Sequence, residues 1–137
     1  MKFTNFQIVK MFDDLGKYAQ TKMPQKISYA ITKNLMILQK EYQCYERELQ
    51  KLFENYKDKT EKDSDGEIKK YENGLPMIKD EYMVEFEKDL NELLSINVDV
   101  ELYLIPEEAF DYIDENNRYD PLSPNDIIFL QTVICTT

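Results

Sequence analysis

Apolar residues recur along the first half of the chain at helical spacing. Ile8, Phe12, Leu15 and Ala19 follow one another at steps of four, three and four, which predicts one apolar face on a helix over residues 6–19. The stretch TKMP, residues 21–24, interrupts the pattern, and Pro24 suits the first turn of a second helix. From residue 25 to 56, Ile31, Leu35, Leu38, Tyr42, Tyr45, Leu49, Leu52 and Tyr56 alternate steps of four and three, a heptad seam over nearly four repeats. At 1.5 Å per residue that helix would be about 48 Å long, so it needs apolar partners along its length. The helix at 6–19 can cover its N-terminal half. A third helix at 80–94, carrying Met83, Phe86, Leu90 and Leu93, can cover its C-terminal half. A second stripe, Ala30, Ile37 and Cys44 at seven-residue spacing, asks for further cover from the last helix or another copy. These three are the candidate interaction residues.

The period then changes. INVDVELYL, residues 96–104, alternates strictly, with Ile96, Val98, Val100, Leu102 and Leu104 on one face, and predicts a strand. Segments 67–71 and 75–79, either side of Asn73-Gly74, read as a β-hairpin that this strand joins. A short helix is expected at 106–113, followed by the polar loop DENNRYDP. SPND then offers Ser123 as N-cap, Pro124 at the first position and Asp126 in the first turn of a helix over 124–134. The expected fold is α+β, a long helical hairpin or small helical bundle with a three-stranded antiparallel β-sheet. A length of 137 residues suits a single domain, residues 1–137.

Composition narrows the chemistry. With no histidine, the usual general base, the commonest zinc ligand and every Ser-His or Cys-His nucleophile are missing. Cys44 and Cys135 lie in apolar surroundings without CxxC spacing, as buried free thiols in a reducing compartment would. No apolar run approaches the ~20 residues of a membrane span, and the first residues lack a signal-peptide pattern, so a cytoplasmic location is expected. Net charge is −10 but uneven: residues 1–40 carry seven Lys against Asp13 and Asp14, whereas the remainder carries ten basic and 25 acidic side chains. Lys26, Lys33 and Lys40 form a polar row that could track phosphates. With only Arg47 and Arg118 as arginines, it reads instead as a solvated face, and no specific nucleic-acid partner is expected. Glu107, Glu108, Asp111, Asp114 and Glu115 read likewise as a solvated acidic helix, because no nucleophile with a base stands beside them.

EKDSDGEIKKYE, residues 61–72, comes closest to a named site. On a calcium-loop template Glu61, Asp63 and Asp65 take the first ligand positions, Gly66 the turn and Glu72 the last. The exiting helix is missing, however, since Glu72 runs into NGLP. Glu61 stands where a short Asp is needed, and Lys69 brings a cation to the ninth position. A structural turn is the better reading, and no metal or cofactor is expected.

The stretch ISYAITKNLMILQKEYQCYERELQKLFENYKDKTEKDSDGEIKKYENGLPMIKDEYMVEFEKDLNELLSINVDVELYLI and the terminal LSPNDIIFLQTVI carry a resemblance. In this order they resemble small uncharacterised proteins encoded by bacteriophages and prophages of low-GC Gram-positive bacteria. The resemblance implies a phage setting in a bacterial host cytoplasm and brings no catalytic residues with it. The expected function is a non-enzymatic protein-interaction or assembly protein, self-associating through the Ala30, Ile37 and Cys44 stripe. The alternative is an acidic inhibitor that occupies the basic nucleic-acid-binding groove of a host enzyme.

The turn reading of residues 61–72 is checked by calorimetric titration with calcium. No binding tighter than about millimolar is expected, and a micromolar site abolished by Asp65→Ala would overturn it.

Overall fold

The long helix organises the chain. In a computed structural model, which describes residues 1–136, β1 (Lys2–Thr4) leads into α1 (Asn5–Gly16), followed by α2 (Gln25–Asn55), α3 (Met83–Leu94), β2 (Asn97–Asp99) and α4 (Pro124–Ile134). The residues group into two compact units. One comprises Met1–Tyr42 and the chain from Asn97 onwards; the other is Gln43–Ile96. At 31 residues, α2 is about 46 Å long and contributes to both.

In the first unit, α1 starts where Thr4 and Gln7 form a capping box: Gln7 N–H donates to Thr4 Oγ1 at 3.2 Å and Thr4 N–H to Gln7 Oε1 at 2.9 Å. Ile8 and Leu15 of α1 share a core with Ile27, Ala30, Ile31 and Leu38 of α2 and with Leu130 and Ile134 of α4. Phe12 adds a ring contact with Tyr42, centroids 4.8 Å apart. The helical pattern reads to Ala19, but α1 ends at Gly16 and residues 17–21 continue in tighter turns. Capping residues set the start of α4. Asp126 N–H donates to Ser123 Oγ and Ser123 N–H to the Asp126 carboxylate, with Pro124 first in the helix. The other Asp126 oxygen accepts from the Tyr18 hydroxyl at 2.7 Å. Burial, reinforced by that carboxylate, pushes the Tyr18 hydroxyl up to about 12, while the Tyr18 hydroxyl and Ser123 hold Asp126 below its ordinary value.

The sheet differs from expectation. It has two strands, not three: β2 pairs antiparallel with β1, Phe3 opposite Val98, and not with the 67–79 segments. Nor does a ladder persist over 96–104. After Asp99 the extended backbone has three partners in succession. Val100 N–H donates to Met1 O at 2.8 Å, Tyr103 pairs with a side chain, and Ile105 pairs with the residues ending α4, its N–H donating to Ile134 O and its carbonyl accepting from Thr136 N–H. The strict alternation accordingly breaks. Val100 and Ile105 are buried, whereas Leu104 turns outward. The helix expected at 106–113 is a single 3-10 turn, Glu107–Phe110. Like charges at Glu107, Glu108 and Asp111 oppose its extension, and a helix this short does not sustain itself.

The side chain that pairs with Tyr103 is Asn34, fully enclosed in the middle of α2. Its Oδ1 accepts from Tyr103 N–H at 2.6 Å and its Nδ2 donates to Tyr103 O at 2.8 Å. A side-chain amide thus stands in for the neighbouring strand that residue 103 lacks. A buried polar residue on a helix face is explained by this two-way match.

Asn34→Leu is expected to strand both Tyr103 groups and destabilise the protein by about 2 kcal/mol in denaturant melts. Asn34→Asp should be destabilising at neutral pH and recover as pH falls. The enclosed carboxyl has a raised folded pKa, so its contribution is present when protonated and lost as pH rises through that value.

Candidate functional site

In the second unit the apolar stripe of α2 passes to larger side chains. Tyr56, Ile78 and Phe86 form its buried centre, with Leu52, Phe53, Met83 and Leu90 packed around them. The Phe86 ring stands edge-on to Tyr56, centroids 5.2 Å apart, and 5.1 Å from Phe53. The Tyr56 hydroxyl donates to Asp89 on α3 at 2.7 Å. Burial, and then the Asp89 carboxylate, push its pKa well above the ordinary tyrosine value, so it remains a neutral donor. Lys59 Nζ lies 5.0 Å from the ring centroids of both Tyr56 and Tyr82 and 3.7 Å from Glu85.

Residues 59–79 form one wall of this unit by an arrangement that no periodicity count suggests. Three extended segments, 59–63, 67–71 and 75–79, meet in isolated antiparallel bridges, Thr60 with Ile78, Lys62 with Ile68 and Lys70 with Pro76. Their backbone bonds repeat every eight residues. Glu61, Lys69 and Met77 each donate and accept in turn: Glu61 N–H to Met77 O, Met77 N–H to Lys69 O and Lys69 N–H to Glu61 O, all 2.8–2.9 Å. Asp63, Tyr71 and Lys79 donate to the carbonyls of Glu67, Leu75 and Lys59, closing a second set of three at 2.8–2.9 Å. The segments therefore form a closed three-sided ring. The third partner of the expected 67–71 and 75–79 hairpin is 59–63 and not 96–104.

Two turns of one kind join the three sides. Gly66 and Gly74 take φ values of +81° and +84°, the left-handed region that glycine favours. Asp63 Oδ1 accepts from Asp65 N–H and Glu67 N–H, at 2.9 and 3.0 Å, and Asn73 Oδ1 accepts from Leu75 N–H at 3.0 Å. Asp63, one of the four carboxylates in the calcium-loop pattern, is thus bonded to the backbone of its own turn.

Between this wall and the two helices lies an apolar cleft of about 190 Å³. Tyr45 and Leu49 from α2, Tyr71 and Leu75 from the second turn, and Phe86 and Leu90 from α3 line it. Tyr71 is 50% and Leu75 38% exposed, so two apolar side chains flank the opening with much of their surface in water. Among the described residues, no group of three or more His, Cys, Asp or Glu is placed to hold a metal ion.

The structure does not bring the candidate interaction residues together on a surface. Ala30 has no exposed surface and belongs to the first unit's core, shared with α4, so it is not available to a second copy. Ile37 packs partly buried against the same core, and Cys44 is an exposed free thiol. Cys135 is buried, and burial followed by Glu107 and Glu108 raises its pKa. Lys26, Lys33 and Lys40 are exposed, as are Glu107, Glu108, Asp111 and Glu115; Asp114 is half-buried. Comparison with protein-family models, with curated proteins and with solved structures finds no match to this chain.

Gly74→Ala tests the turn that holds Tyr71 and Leu75 at the cleft. An added Cβ meets nothing within 4 Å, so the effect is conformational strain alone. Melting curves should show a loss of about 1 kcal/mol, with faster amide exchange at Tyr71 and Met77.

Proposed function

We propose that the protein is a non-enzymatic interaction module of phage or prophage setting, and that the cleft of the second unit receives an apolar side chain from a protein partner. The single observation that carries this reading is an almost wholly apolar cleft whose opening exposes Tyr71 and Leu75. At about 190 Å³ it is smaller than the usual ~300–1,000 Å³ of small-molecule sites and suits an anchor residue at the centre of a protein interface. The rigid aromatic lining also favours anchor recognition, because its side chains lose little freedom on binding. The lack of histidine supports the non-enzymatic part of the proposal.

Self-association through Ala30, Ile37 and Cys44 loses its motivation once α4 shares the core with Ala30. A second copy remains one kind of partner for the cleft. The acidic-inhibitor alternative draws instead on the exposed carboxylates of Glu107, Glu108, Asp111 and Glu115, and it requires a host complex that weakens strongly with salt.

The test is a selection from helical peptides displaying Leu and Phe anchors, mapped by NMR. Bound peptides should shift Tyr45, Leu49, Phe86 and Leu90, and Tyr71→Ser with Leu75→Ser, both at exposed positions, should weaken them by about tenfold. Peptides that map to the first unit, or that bind the double variant equally, would overturn the proposal. A dimer by light scattering, lost in the same variant, would identify the partner as a second copy.

A further inference from the structure

The first unit carries a different depression, about 530 Å³, between the 3-10 turn at 107–110, the loop that follows it and the start of α4. Its walls include Phe110, Tyr112, Tyr119 and Leu122, and two carboxylates, Asp114 and Asp120, face into it. The rings of Tyr112 and Tyr119 stand edge-to-face, centroids 5.4 Å apart at 80°. Asp114 fixes the loop that presents them: Oδ1 accepts from Arg118 N–H at 2.8 Å and Oδ2 from Tyr119 N–H at 2.9 Å, and Asn117 between them takes φ +56°. Asp120 ties the loop to the segment before α2. Its Oδ2 accepts from Lys22 N–H at 2.8 Å and its own N–H donates to Lys22 O at 2.9 Å.

Neither carboxylate has a cationic side chain against it: among the described residues, no ion pair reaches Asp114 or Asp120. Among the described residues none donates a hydrogen bond to Asp120 Oδ1, and each Asp114 oxygen, with one backbone donor, retains further acceptor capacity. From residue 97 onwards the chain has nine acidic side chains against Arg118 as its one basic residue. Arg118 does not line the groove. Its guanidinium lies over the Tyr119 ring, 5.4 Å from the centroid, so this ring already serves the molecule as a platform for that group.

We infer that this groove is a binding site for the guanidinium of an arginine side chain presented by a partner protein. Aromatic faces and unpaired carboxylates in one concave site attract a cation. A planar, weakly hydrated guanidinium stacks on a ring while bonding sideways to a carboxylate, which a compact, strongly hydrated ammonium does less well. Phe110 and Leu122 offer apolar surface to the methylene stem. The site goes beyond the apolar cleft and does not depend on it, since the two belong to different units.

The test uses three capped tripeptides, glycine-arginine-glycine and its lysine and citrulline counterparts, titrated into the full chain while aromatic resonances are followed by NMR. The arginine peptide should give saturable shifts at Tyr112 and Tyr119, with the uncharged citrulline peptide about tenfold weaker. Asp120→Asn, which keeps an acceptor for Lys22 N–H, should weaken the arginine peptide about threefold, and Tyr112→Leu about tenfold. The citrulline comparison is made on the unaltered protein and stands even if a variant fails to fold. Equal binding of citrulline, shifts confined to other residues, or no saturation would overturn the site. Lysine binding as tight as arginine would overturn its assignment to guanidinium. Shifts at Phe53 and Phe86 report the apolar cleft separately.

Discussion

Everything in this chain answers to the length of α2. A 31-residue helix with apolar residues along one seam is not stable in water by backbone bonding alone; it persists because each stretch of the seam is covered. In the first unit the buried positions are aliphatic, with Ile27, Ala30, Ile31 and Leu38 sharing a core with residues of α1 and α4, while Leu35 and Tyr42 of the seam stay partly exposed. In the second unit the cover is aromatic and partial. Tyr45, Leu49 and Phe53 all keep some exposure, and the cleft lies where they meet the turn and α3. The same seam thus enters an aliphatic core in one unit and lines a recess in the other.

Asn34 shows how the first unit solves a second problem. Extended backbone in a small domain needs partners, and β1 is only three residues long. Residues 100–105 find theirs from the N-terminal strand, from a side chain of α2 and from the end of α4 in succession. No continuous sheet is required, because every polar group needs a bond and not a particular kind of neighbour. Placing an amide inside an aliphatic helix face is tolerated only because both of its ends are matched.

Much of this was legible in the sequence where the signal was local. The heptad seam of α2, the Ser123-Pro124-Asp126 start of α4 and the Asn73-Gly74 turn each carry their cause within a few residues, and each is found. What could not be read depended on residues far apart in sequence. Nothing near Val98 says that Phe3 will pair with it, and nothing in a helical Asn34 says that it will meet Tyr103. The alternation of 96–104 indicates extended backbone correctly but is silent on who bonds to it. Ala30 looked like surplus because its spacing matched Ile37 and Cys44; α4, with its own apolar residues, shares the core with it. The apolar cleft draws on three elements, so its residues appear in the sequence only as ordinary core positions. Tyr112 and Tyr119, seven residues apart, one just before the polar loop and one within it, carried no periodic signal at all.

The three-sided ring at 59–79 has a consequence for how that part of the chain becomes ordered. Each side is bonded to both others, two backbone bonds to each, so detaching any one side removes four of the six bonds at once. The hairpin left behind would have two bonds and isolated bridges, short of what holds such a hairpin in water. The segment therefore has no stable half-formed state: it closes as a unit, with the entropy of both turns lost together, or it opens as a unit. A wall made this way is either present whole, with Tyr71 and Leu75 in place, or absent.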